Sequence, residues 1–164
     1  MTLAFSTQLN KVPTYFVAKI LKGLELNKLI TYKDILPFYV IDTVDRYKSL
    51  FVKPKIHTIR TDKKERWKSG NLIHFVINNR TPNRYQFAPV LKCVSTQKIK
   101  IYYWYNPKTE KFDDPDVYID DKLLNFPQVE ELAINDGFES TKDFFAYFNT
   151  GFSGKIIHWT NKKY

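Results

Sequence analysis

The chain reads as an α+β fold, a small mixed β-barrel with peripheral helices, on three observations. Several short runs of β-branched and aromatic residues alternate at period two, a few stretches repeat at helical spacing, and the two kinds follow no regular βαβα rhythm. With 164 residues and 43% hydrophobic content, the chain can bury one sizeable core and is short for two. One domain over 1–164 is therefore expected.

The elements follow in order. Leu3 to Ser6 suits a short strand, and Asn10 to Thr14 a turn. Phe16, Val17, Ile20, Leu21 and Leu24 then fall at helical spacing, with Pro13 and Thr14 suited to the start and Gly23 to the end. Glu25 to Lys53 is mixed in character around Pro37 and predicts two short helices, Lys33 to Leu36 and Asp42 to Leu50. Ile56 to Arg60 and Leu72 to Ile77 are strands about the turn Ser69-Gly70-Asn71. After the polar loop Asn78 to Arg84, strands are expected at Tyr85 to Ala88 and Leu91 to Ser95, broken by Pro89, and at Ile99 to Tyr105. Pro107 to Pro115 is charged and turn-like. Val117 to Ile119 and Lys122 to Leu124 form a hairpin across Asp120-Asp121. Helices are predicted over Gln128 to Asn135 and Ser140 to Asn149, the second with Ser140 placed to cap at Asp143. Ile156 to Trp159 is a last strand, and Lys162-Lys163-Tyr164 a frayed tail.

Composition narrows the chemistry. A formal charge of +9, from 26 Lys plus Arg against 17 Asp plus Glu, favours polyanionic partners. The 11 Tyr, 13 Phe and 3 Trp supply core filler and candidate stacking platforms for bases. Cys93 is the only cysteine, which excludes an internal disulfide and a cysteine-based metal cluster, favours a reducing cytosol and suits an inert buried thiol. His57, His74 and His158 lack paired ligand spacing and read as structural, so no metal and no cofactor are expected. The absence of a signal-peptide run and of a long apolar segment argues against secretion and membrane spanning, leaving the cytoplasm.

The densest stretch is Lys53 to Asn71. Lys55, Thr58, Ile59 and Arg60, in the order K-x-x-T-I-R, followed by Arg66-Trp67-Lys68-x-Gly70, resemble the signature of the ASCH domain, a member of the PUA-like barrel superfamily. Leu132 to Phe148 is similar to that family's helical segment, Gly154 to Thr160 to its closing strand, and Leu3 to Ser6 with the helix ending near Gly23 to its first elements. The resemblance spans most of the chain, with insertions at about 24–52 and 106–124. It implies a PUA-like barrel that binds RNA or another nucleic acid, or a modified nucleoside. Some small members remove the acetyl group from the exocyclic amine of acetylcytidine, which implies Lys55 as proton acceptor and Thr58 as nucleophile. The third member there is a Glu, and the matching position here is Asp136, one methylene shorter; Glu139 or Glu131 could substitute only if the loop differs.

The residues carry their own requirements. A threonine hydroxyl needs a neighbouring base, and Lys55 can serve only if its pKa is depressed, which Lys53, Arg60 and Lys68 would favour by like charge. Positions 55 and 58 lie on opposite faces of a regular strand, so the backbone must turn between them, at Pro54 or at a bulge. Arg60 shares a face with Thr58 and could hold a base carbonyl or phosphate. Trp67, with Trp159, could wall a base. The cationic run Lys63, Lys64, Arg66 and Lys68, with Arg80 and Arg84 of the next loop, could track a phosphate backbone beside the pocket. Without the resemblance, Thr58 is an ordinary strand residue, Lys55 a solvated lysine, and the chain a basic protein; a third expectation is a protein-interaction module whose insertions, Glu25 to Lys53 and Asn106 to Leu124, bind a partner, with the pocket vestigial.

Overall fold

The computed structural model describes residues 1–35, 52–112 and 114–164. In chain order their elements are β1 (Thr2–Ala4), β2 (Gln8–Leu9), β3 (Val12–Pro13), α1 (Phe16–Leu26), α2 (Tyr32–Ile35), β4 (His57–Arg60), β5 (Leu72–Ile77), β6 (Tyr85–Gln86), β7 (Leu91–Lys92), β8 (Ser95–Tyr102), β9 (Tyr105–Asn106) and β10 (Lys111–Phe112). There follow β11 (Asp116–Ile119), β12 (Lys122–Leu123), α3 (Phe126–Asn135), α4 (Thr141–Tyr147) and β13 (Phe152–His158). The class is α+β. The second helix expected in the early insertion, Asp42 to Leu50, falls outside the described residues, and α2 covers the described part of the first.

Two sheets carry the fold. The larger has the order β12-β11-β8-β13-β4, antiparallel throughout, with β4 at one edge. The other joins β1 parallel to β5, which also pairs with β6 and β7. Alternation along β13 separates two cores: Ile157 faces a cluster with Leu3, Phe75 and the α1 residues Ile20 and Leu24, while Ile156 faces one with Ile99, Ile101 and the α3 residue Leu132. In the first core, Phe75 meets Trp159 edge-on at 5.1 Å. Among the described residues, no helix is long and apolar enough to cross a membrane.

Several boundaries differ from the sequence expectation for visible reasons. Gly23 does not end α1, which runs on to Leu26 and is capped at Asn27. A Cβ at Gly23 would lie 2.3 Å from the Lys55 carbonyl oxygen, so the glycine is there for a close backbone crossing. The predicted Ile99 to Tyr105 strand is two pieces, β8 beginning earlier at Ser95 and β9 at Tyr105. α3 starts two residues ahead of expectation, at a capping box in which Asn125 and Gln128 satisfy each other's backbone N–H. Ser140 caps α4 as expected, accepting from Asp143 N at 3.2 Å. Tyr164 is not frayed: its N–H donates to Gln97 Oε1 at 3.0 Å, and its carbonyl accepts from Gln97 Nε2 at 2.9 Å.

Candidate functional site

Lys55 lies just ahead of β4, in a segment held between two helices. Its N–H donates to Lys19 O of α1 at 2.9 Å, and the Ile56 N–H donates to Asn135 O of α3 at 3.0 Å. Because regular pairing begins only at His57, Lys55 is free of strand alternation and lines the same cleft as Thr58. Gly137, at φ +93°, completes the channel for this side chain, since a Cβ there would sit 3.0 Å from Lys55 Cδ.

The lysine is buried, 1% exposed, rather than solvated. Its ammonium donates to Asp136 Oδ1 at 2.6 Å and to the Asp136 carbonyl, and stands 5.0 Å from the Phe16 ring centroid. Asp136 caps α3, and its Oδ1 also accepts the Ile59 N–H at 3.1 Å. His57 Nδ1 lies 3.7 Å from the same oxygen, and His57 Nε2 is 2.8 Å from the Tyr164 hydroxyl, whose oxygen accepts from Asn135 Nδ2 at 2.9 Å.

Burial pushes the Lys55 ammonium down to about 8; Asp136 opposes the shift, while Arg60 and Lys19 add to it by like charge. For Asp136, burial alone would raise the carboxyl, but Lys55 and His57 hold it below its usual range. Burial likewise keeps His57 neutral against the pull of Asp136. Lys53 and Lys68 are not among the charges that act on Lys55, and Lys19 takes their place. Lys19 is itself buried, donating to Gly137 O at 2.7 Å and to Glu139 Oε1 at 2.6 Å.

Thr58 is 2% exposed, and its hydroxyl has no hydrogen-bond partner among the described residues. Arg60 donates to Ala4 O at 2.8 Å and lies over the Phe5 ring at 5.2 Å. Together with Phe16, Phe138 and Tyr147, these residues line an inner cleft of about 30 Å³, room for a water-sized group. It adjoins a groove of about 460 Å³ that shares Ile59, Arg60 and Tyr147 and adds Phe148 and Phe152. That outer space is of small-ligand size.

The structure thus brings Lys55, Thr58, Arg60 and Asp136 into one cleft. Trp67 belongs elsewhere, buried in the first core with Trp159. Lys63, Lys64, Arg66, Lys68, Arg80 and Arg84 are exposed, and none lines the cleft or the groove. The loop bearing the first four is shaped by Asp62, whose carboxylate accepts from the Arg66 and Trp67 N–H groups. Glu139 and Glu131 are engaged by Lys19 and Lys162 instead of reaching Lys55. Among the described residues, no group of three or more His, Cys, Asp or Glu side chains could hold a metal ion. Cys93 is buried with its Sγ 3.3 Å from Ser95 O, and burial raises its thiol pKa.

Sequence reasoning missed Lys19, His57 and Tyr164. Lys19 had a signal, a lysine three residues after Phe16 on an apolar helix face. His57 and Tyr164 had none, because 107 positions separate them. Compared with known proteins, the chain matches no family model, no curated protein and no solved structure.

Proposed function

We propose that the chain is an ASCH-type domain of the PUA-like barrel class, working in the cytoplasm, that seats a nucleoside in the outer groove and hydrolyses an acyl amide on its exocyclic amine. The observation that carries this reading is a buried lysine with a depressed pKa, paired to Asp136 in the cleft that also holds the unbonded Thr58 hydroxyl. At pH 7 a lysine with a pKa near 8 is neutral in about one molecule in ten, enough to accept a proton, whereas at its ordinary value it would be neutral in fewer than about one in a thousand. Thr58 Oγ adds to the acyl carbon as Lys55 takes its proton. Collapse breaks the C–N bond, Asp136 relays that proton to the leaving amine, and water then cleaves the Thr58 ester to release the acid. Arg60, braced by Ala4 and Phe5, presents a cation at the junction of cleft and groove for a base carbonyl. Tyr147, 48% exposed and common to both spaces, offers a face on which a base can stack.

A second reading is recognition of a base in RNA or another nucleic acid, without turnover. It is favoured by the Lys55 ammonium already being satisfied by Asp136. The outlying position of the cationic run favours the free nucleoside over the polymer. Incubation with acetylcytidine, followed by chromatography, tests both. Release of cytidine by the native chain, reduced at least a hundredfold in Lys55→Met and Thr58→Val, is expected for the hydrolase. Binding without release, weakened by Arg60→Ala and by salt but indifferent to Thr58→Ala, would leave the recognition module.

A further inference from the structure

The hydrogen bonds around Tyr164 bear on where the His57 proton sits. Asn135 Nδ2 donates to the Tyr164 oxygen, so the phenol's own hydrogen is available to His57 Nε2, 2.8 Å away. Burial keeps that phenol protonated and the imidazole neutral. A neutral imidazole that accepts at Nε2 carries its hydrogen on Nδ1. This atom is buried without a hydrogen-bond partner among the described residues and faces Asp136 Oδ1 at 3.7 Å, just beyond bonding range.

We propose that Tyr164 fixes His57 as the Nδ1–H tautomer and thereby makes His57 the positioning residue that holds the Asp136 carboxylate when Lys55 gives up its proton. Only the catalytic consequence rests on the hydrolytic reading; the tautomer does not. With Lys55 protonated, its ammonium and the Ile59 N–H occupy Asp136 Oδ1. When Lys55 is neutral, the carboxylate loses its strongest donor, and a short movement brings His57 Nδ1–H into range. The reactive state of Lys55 is thereby stabilised from the far side of the pair. The other charges at hand are few. Lys19 of α1 and Arg60 of β4 act on Lys55, and Lys162 acts on His57. His158 of β13 packs 5.5 Å from the His57 ring, and Glu131 of α3 acts on Tyr164. Without the Tyr164 hydroxyl, Nε2 has no donor, and the tautomer that turns a lone pair toward Asp136 becomes accessible.

Nitrogen-15 NMR of the imidazoles, with the full chain and no substrate, is the direct test. The native protein is expected to show His57 protonated on Nδ1 and bare at Nε2, and Tyr164→Phe to shift the proton toward Nε2. Titration of the Lys55 amine should give a pKa about one unit higher in Tyr164→Phe. The corresponding effect on acetylcytidine hydrolysis is about a tenfold fall in kcat at pH 7, recovered at high pH, with KM unchanged. A fold merely loosened by the substitution would not recover with pH. A native His57 protonated at Nε2 overturns the proposal even if the variant fails to fold, and so does a variant whose Lys55 titration is unmoved. If acetylcytidine is not hydrolysed, the hydrolytic reading fails, while the tautomer and the Lys55 titration still decide the inference.

Discussion

Lys55 and Asp136 form an ion pair that water scarcely reaches, with side chains 2% and 6% exposed. Removing one partner strands the other, and Asp136→Ala is expected to cost about 3–5 kcal/mol at pH 7. The sign of its pH dependence follows from Lys55. A folded pKa near 8, below the ordinary 10.5, means that the folded state disfavours the charged lysine; the penalty is full below about pH 8 and relieved as pH rises toward 10.5. Losing the carboxylate deepens the penalty by lowering the Lys55 pKa further, so urea unfolding should show the deficit of Asp136→Ala narrowing as pH rises toward about 8 and level above it. A deficit constant with pH would mean that the ammonium is not the stranded group. At this scale the sequence grouped Lys55, Thr58, Arg60 and Asp136, and these four line one cleft. It was silent on burial, which made Lys55 look like a surface residue and hid Lys19 in a helical stripe.

The helices act on the site through backbone as much as side chains. α1 receives the Lys55 N–H at Lys19 O and passes close to the Lys55 carbonyl at Gly23. Helix propensity alone would have Gly23→Ala stabilise α1 by about 1 kcal/mol. A Cβ 2.3 Å from a main-chain oxygen outweighs that gain, because neither backbone yields easily, and a net loss of roughly 1–3 kcal/mol is expected. Thermal unfolding decides between the two, and a stabilised variant would show that α1 and the Lys55 segment can part without cost. The same glycine explains an error of sequence reading: a Gly after an apolar run signals a helix end unless something else needs its missing side chain. β5 was legible residue for residue because alternation, a turn before it and a polar loop after it agree. The start of α3 was legible in principle, in an Asn with Gln three positions on.

At the level of the whole molecule, the order of the larger sheet could not be read from the chain. β13 lies between β8 and β4, and such distant pairings leave no local mark. Its end brings His158 beside His57, both fully buried, with both His158 ring nitrogens lacking hydrogen-bond partners among the described residues. Burial drives His158 down to about 3 and lowers His57. Both folded values lie below the ordinary 6.5, so the unfolded chain takes up protons first, and stability is expected to fall as pH drops from about 6.5 toward 3. The midpoint of thermal unfolding should decline over that range and flatten in His158→Gln; an unchanged slope would remove His158 as the cause. A different consequence follows from β4 standing at the sheet's edge. Exposed edge strands recruit other strands and seed aggregation. Here the Asp136 carboxylate occupies the outward Ile59 N–H, while residues just ahead of the strand are tied to α1 and α3. The carboxylate that pairs with Lys55 therefore also covers a backbone donor that an added strand would need.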